Sequence, residues 1–285
     1  MTDLPAERDA AVTDRAILSG SAYNTGKDLA ARQSLYRWQQ PRYDLPRTVV
    51  ELLRHTHGTV VDVGCGNGKF IARLRQDRPD LRLLGLDVSP GILADVPGAV
   101  AVADAVRLPL PSSSVDAALA LHMLYHVEDI PAAIGELSRV VKPGGRVIVS
   151  TNSERDKSEL DRLWERAAGD VLGVEKGPAR ISLSARFSLE KAVGLLGSCF
   201  GSVETITLPG IITVRSPEPV VAHLKSYRAW AKQHAVPFEE TVARAREIVT
   251  ERIEKSGTFE IGCLGGMLVC TGVKRPPEAG TPMDR

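Results

Sequence analysis

The chain has 285 residues, 43% hydrophobic and 25% charged, with 36 Lys plus Arg against 35 Asp plus Glu for a net charge of +1. That balance excludes a disordered, collagen-like or coiled-coil chain, and a chain this long buries enough core to fold without disulfide or metal staples. It also lacks the basic surplus that marks a dedicated nucleic-acid binder.

No apolar run approaches the roughly 18 residues of a membrane span. With Asp3, Glu7, Asp9 and Asp14 and no apolar h-region at the N-terminus, no secretory signal is expected. Cys65, Cys199, Cys263 and Cys270 never pair as CxxC, so the expectation is a cytoplasmic protein with reduced thiols.

Residues 1–20 read as frayed or loosely helical. A helix is expected over 27–40, with Leu29, Leu35 and Trp38 as apolar contacts and Pro41 as its stop, and another over 45–55. Short apolar, β-branched runs follow at Thr59–Val63, 81–86, 100–103, Val115–Leu121 and 146–151. Helical stretches lie between most of them, at 69–78, 89–95 and 130–141. This alternation predicts a parallel sheet with helices on both faces. Further on, a charged stretch at 154–166 reads as a solvated helix face. A helix is expected over 189–200, a strand over 203–208, and two helices over 217–234 and 237–256 that cap the sheet. A turn region over 262–266 leads into a last strand, 267–273. Residues 274–285, with three prolines, read as a flexible tail.

The strongest local feature is the run from Asp62 through Gly64, Cys65, Gly66, Asn67 and Gly68 to Lys69. Glycines there let the backbone turn tightly and lie against a ligand. A Walker loop fails, because Phe70 follows Lys69. A dinucleotide fingerprint fails, because Lys69 stands where its third glycine belongs. An acid just before the loop suits a cationic amine better than a pyrophosphate. Asp87 and Asp104 close the next two strands, at the sheet edge where ligands of open parallel sheets bind. Each acid also has a bland alternative: Asp62 could brace the loop, Asp87 could cap a helix and Asp104 could brace the turn to Leu108.

This pattern resembles motif I of the class I S-adenosylmethionine-dependent methyltransferases, in their small-molecule branch. Residues 108–116 (LPLPSSSVD), 122–129 (HMLYHVED) and 140–147 (VVKPGGRV) resemble the later motifs, in order, over about 58–151. Ser112 and Val115 depart mildly from the usual Asp and Phe. The resemblance implies an α/β Rossmann-like fold: a seven-stranded, mostly parallel sheet with an antiparallel last strand. It implies a helical lid over 1–56 and a methyltransferase domain over 57–273, with cap insertions at 152–187 and 211–256. It gives Gly64, Cys65, Gly66, Asn67 and Gly68 to the methionine half of S-adenosylmethionine and Asp62 to its amino group. Asp87, with Val88, would take the ribose. Asp104 and Ala105 would take the adenine, and Leu121 and His122 would flank the methyl group.

Tyr23, Asn24 and Arg32 precede the core. Tyr23 could offer a ring or hydroxyl near the sulfonium, and Arg32 a fork for the cofactor's carboxylate. His122, Tyr125, His126 and Tyr23 are the titratable groups available for catalysis, with His122 the preferred base. His126 also reads as a packed, backbone-bonded side chain. His122 and His126 are four apart, but no third ligand accompanies them and no metal is expected. The expected reaction is SN2 methyl transfer to an oxygen, nitrogen or activated aromatic carbon of a small aromatic or heteroaromatic secondary metabolite, of the natural-product kind. S-adenosylhomocysteine would be released. The alternatives are a ribosomal RNA guanine methyltransferase and a cofactor-binding protein without transfer activity. No nucleic-acid or membrane partner is expected, and a homodimer through the cap helices and last strand is the base-rate expectation.

Overall fold

The computed structural model describes residues 10–23 and 26–274. Asn24, most of the expected tail and the first nine residues lie outside the described residues. The strands are Gln39–Gln40 (β1), Thr59–Val63 (β2), Arg82–Asp87 (β3), Val100–Val102 (β4), Val115–Leu121 (β5), Val141–Asn152 (β6), Phe200–Val214 (β7) and Phe259–Val273 (β8). They form one sheet in the order β1-β7-β8-β6-β5-β2-β3-β4. Strands β2 to β6 pair in parallel, and β8 runs antiparallel between β6 and β7.

The sheet has eight strands, not seven. Gln39 and Gln40 pair with Ile212 and Ile211 at the edge of β7. Two residues are too few to show a period in sequence. The expected helix over 27–40 therefore stops early: Lys27–Ser34 (α1) gives way to a 3-10 turn at Leu35–Trp38. Leu35 is fully buried, but that turn leaves Trp38 48% exposed, so Trp38 is not the apolar contact expected of it.

Parallel strands with helices on both faces should be apolar throughout. In β2, Val60, Val61 and Val63 are buried, and so are Ala117 to Leu121 in β5. Leu45–Leu52 (α2) and Lys69–Asp77 (α3) lie on one face, where Val49 and Leu74 meet Val60 and Leu119. After the short helix Pro90–Leu93 (α4), Ile130–Val140 (α5) covers the other face.

The cap grows from the second half. Ser158–Leu172 (α6) turns Leu160, Leu163, Trp164 and Ala167 inward, leaving only its outer face solvated. Leu189–Gly197 (α7) returns to the sheet. Glu218–Lys225 (α8) and Phe238–Ser256 (α9) close the cap, and the expected helix over 217–234 breaks into a 3-10 segment at Arg228–His234. A separate core of Trp164, Val221, Phe238 and Val249 packs on Ile212, Val214 and Ile261. That packing explains why β7 and β8 are longer than expected: both run past the sheet and under the cap. The glycines at 262–266 are therefore strand, not turn. They pair through Gly265↔Leu208 and Gly266↔Thr207. A Cβ at Gly266 would lie 2.8 Å from Leu189 Cδ2, so a larger residue cannot pass beneath α7. No helix among the described residues is long and apolar enough to cross a membrane.

Candidate active site

A cavity of about 800 Å³ opens at the carboxyl ends of β2, β3 and β5, between the sheet edge and the cap. The loop after β2 forms its floor. Gly64, Gly66 and Gly68 all have positive φ, at 69°, 54° and 71°. A Cβ at Gly64 would meet Met123 at 2.6 Å, and one at Gly68 would meet Val96 at 2.6 Å. Gly64 and Cys65 N–H both donate to Leu86 O, at 2.7 and 3.0 Å, which folds the loop over the end of β3. Gly64, Cys65, Gly66 and Asn67 line the cavity, whereas Gly68 caps α3 from behind. Burial pushes the Cys65 thiol up, so it stays protonated.

Three acids stand at this edge in different states. Asp62 is 2% exposed, and neither carboxyl oxygen has a hydrogen-bond partner. Burial, with the neighbouring Asp87 charge, pushes it up to about 8. Asp87 accepts from Gly66 N–H and Ser89 N–H, each at 2.9 Å. Burial still holds it above its ordinary value, against those two bonds. Asp104 pairs with Arg15 and accepts from Val106 N–H at 3.2 Å. Val88, Ala105 and Leu121 line the cavity between them.

The N-terminal segment covers this edge. The Ser89 hydroxyl donates to Tyr23 O at 3.0 Å. Tyr23 Oη lies 2.7 Å from His126 Nε2, and His126 Nδ1 lies 2.9 Å from Val12 O. A carbonyl can only accept, so Nδ1 carries the proton and Nε2 accepts from Tyr23. His126 also stacks at 4° against Trp230 and meets Tyr125 edge-on at 4.7 Å. Burial, then the charges of Arg32 and Arg186, pull it down to about 4 despite the Val12 bond. Tyr23 and Tyr125 are pushed up by burial and remain phenols.

His122 lies across the cavity with φ of 55°, strained for a residue with a Cβ, and its N–H donates to Ser150 O at 3.0 Å. Burial and then the Lys157 charge lower it to about 4. Arg32 is 8% exposed and sits over the rings of Tyr23, Trp230 and Tyr227 at 5.0, 5.6 and 5.7 Å. Its Nη1 donates to Ser226 O at 3.1 Å, while Nη2 has no hydrogen-bond partner.

Sequence reasoning missed several lining residues. Lys157 Nζ donates to Tyr36 Oη at 2.7 Å and pairs with Asp156. Burial pushes the Tyr36 phenol up to about 12, against the lowering pull of Lys157. Arg180 donates to Asp161 and lies 5.2 Å from the Tyr227 ring centroid. His223 is buried 5.4 Å from the same ring, facing the Arg32 backbone. Neither Lys157 nor Arg180 stands in a periodic or glycine-marked context, so the sequence carries no local signal for them.

Residues 61–149 match the sequence model of the family described as a methyltransferase domain. The chain is 35% identical over 150 residues to the malonyl-[acyl-carrier protein] O-methyltransferase of Hahella chejuensis, covering 49% of this chain and 51% of that protein. It is 33% identical over 144 residues to the tRNA (carboxymethyluridine(34)-5-O)-methyltransferase of Arabidopsis thaliana, covering 46% of this chain and 35% of that protein. It spans about half the length or less of these relatives. Among solved structures, a putative methyltransferase from an antibiotic biosynthesis pathway of Anabaena variabilis superposes with a TM-score of 0.58. That pair is 18% identical, covers 80% of this chain and 96% of the other, and speaks to the fold alone.

Proposed function

We propose that this chain, whose residues 61–149 match a methyltransferase-domain family, is a class I S-adenosylmethionine-dependent enzyme that methylates an oxygen, nitrogen or activated aromatic carbon of a small aromatic or heteroaromatic metabolite, with release of S-adenosylhomocysteine. One observation carries the cofactor half: the cavity holds a buried carboxyl and a buried guanidinium with unfilled bonding capacity. Asp62 lacks any partner on its carboxyl, and Arg32 lacks one on Nη2. Leaving a buried polar group without its hydrogen-bond partner costs about 1–3 kcal/mol. An α-amino acid end supplies an ammonium for one and a carboxylate for the other.

Asp87 would hold the ribose, its carboxylate oriented by Gly66 and Ser89. Asp104 and Ala105 would face the adenine, with Val88 and Leu121 beside them. Bound S-adenosylmethionine supplies an electrophilic methyl group on a sulfonium. The chain's own part is alignment, exclusion of water and handling of one proton. His122, neutral above about pH 4, can accept a hydrogen bond from the acceptor, but at that pKa it is a weak base. Tyr23 and His126 hold a proton between them, fixed by the Val12 carbonyl. Tyr125 packs against that pair. A cavity of about 800 Å³ lined by cap side chains is the size of a small-molecule site, which supports a small acceptor over a polymer.

Calorimetry with S-adenosylhomocysteine tests the cofactor half, and no heat would end it. Radiolabelled donor with cell extract split into small-molecule and RNA fractions tests the acceptor half. Label is expected in the small-molecule fraction, and label confined to RNA would replace this reading with RNA methylation.

A further inference from the structure

The walls of the cavity differ in charge. Asp62, Asp87 and Asp104 stand at the strand ends, and Glu128 and Asp129 lie on the exposed rim after β5. The opposite wall comes from residues 32–43 and 156–180. It contributes Arg32, Arg37, Arg42, Lys157 and Arg180, and Asp156 is its single acid. These segments are contiguous: Lys157 bonds Tyr36, and Arg32 and Arg180 lie 5.7 and 5.2 Å from the ring of Tyr227.

The cations are not equally compensated. Lys157 has Asp156. Arg180 is buried; its partner Asp161 is 37% exposed and takes both contacts on one oxygen, and the Tyr227 side chain is its other hydrogen-bond partner. Arg37 and Arg42 lie exposed at the opening and make no ion pair among the described residues. A cleft lined by one sign of charge concentrates and steers ligands of the other sign. Tyr227, itself buried, lies between the two guanidiniums and holds them in place.

We infer that the acceptor is a small molecule carrying a carboxylate or phosphate, drawn in past Arg37 and Arg42 and seated on Arg180 beside Tyr227. This rests on the proposed function and names its substrate class. The anion is a handle and not the methylated atom. A guanidinium-bound oxygen has its lone pairs committed to N–H bonds and is a poor nucleophile. The methyl group is accepted elsewhere on the molecule, nearer His122.

The test uses the full chain saturated with S-adenosylhomocysteine, with benzoate, phenyl phosphate and benzamide as probes. At low salt, at least one anion should bind about 10-fold more tightly than benzamide, a gap of about 1.4 kcal/mol. Benzoate against phenyl phosphate decides between the two handles. In Arg180→Met that preference should fall to within about 2-fold. The exposed double variant Arg37→Gln with Arg42→Gln should weaken the anions a few-fold and flatten their salt dependence. Equal affinities, no anion binding at millimolar concentration, a preference surviving in both variants, or displacement of the anions by a short single-stranded RNA would each overturn the inference. S-adenosylhomocysteine affinity on the same samples reports folding. If the wild-type chain does not bind it, the methyltransferase reading fails, while the anion preference remains measurable without it.

Discussion

At Asp62 the free protein keeps a proton that a bound ammonium would displace. Its carboxyl sits at about 8, so it is mostly neutral at pH 7. Binding of the cofactor or its demethylated product should therefore release about one proton at pH 7. Heats measured in buffers of different ionisation enthalpy read this directly, and zero release would take the amine off Asp62. The same carboxyl limits stability. Its folded pKa lies above the ordinary value of 3.8, so the native state holds more protons than the unfolded chain between about pH 4 and 8. Ligand-free stability from this group falls as pH rises through that window. Asp62→Asn should raise the melting temperature of the free protein at pH 8 and weaken product binding by about 1–3 kcal/mol. His122 and His126 run the other way. Both are lowered from 6.5 to about 4, so their contribution is complete above pH 6.5 and is lost as pH falls toward 4. A carboxyl at a strand end beside a glycine turn is legible in sequence, because neighbours along the chain create its setting. Arg15 on Asp104, or Lys157 against Tyr36, depends on contacts between segments far apart, and no local pattern encodes them.

The element that presents Asp104 is a short loop with little regular structure, and α5 clamps it. Arg139 donates to Leu110 O at 2.8 Å and Leu108 O at 3.2 Å, while Glu136 accepts from Leu108 N–H at 2.7 Å. Arg139 and Glu136 are themselves paired on that helix. Arg139→Ala would leave two carbonyls and a carboxylate without their shared donor. A loss of about 1–3 kcal/mol in stability is expected, with weaker product binding as the loop loosens. Thermal melting and calorimetry check the two effects separately, and an unchanged affinity would show that Asp104 is held by other means. The strands that carry the site were readable because buried parallel strands are continuous apolar runs. The long reach of β7 and β8 was not. Its cause is the cap packed on their far ends, and Gly262 to Gly266 look like a turn until α7 is placed across them.

For the whole molecule, residues 11–23 act as a roof tied to both halves of the cavity. Arg15 reaches Asp104 at one end. At the other, Trp230 Nε1–H donates to Ala11 O at 3.0 Å, and His126 holds Val12. A covering segment of this kind opens far more readily than the sheet beneath it. Amide hydrogen exchange across 11–23 should slow markedly when S-adenosylhomocysteine binds, while β2 and β5 exchange slowly in both states. Equal protection with and without ligand would show that the segment does not cover the bound molecule. A covering N-terminal segment is implied by the family resemblance and not by polarity alone. Its latch to Trp230 is implied by neither, since the two partners are separated by most of the chain.

That latch sets an order of events. Trp230 and His126 stack on one another and together hold residues 11 and 12, so this segment is fastened there as well as at Asp104. Local opening of residues 11–23 therefore requires these fastenings to give way first. Trp230→Phe, which keeps an aromatic ring but removes the N–H that holds Ala11 O, should loosen this fastening and speed escape of S-adenosylhomocysteine in stopped-flow displacement.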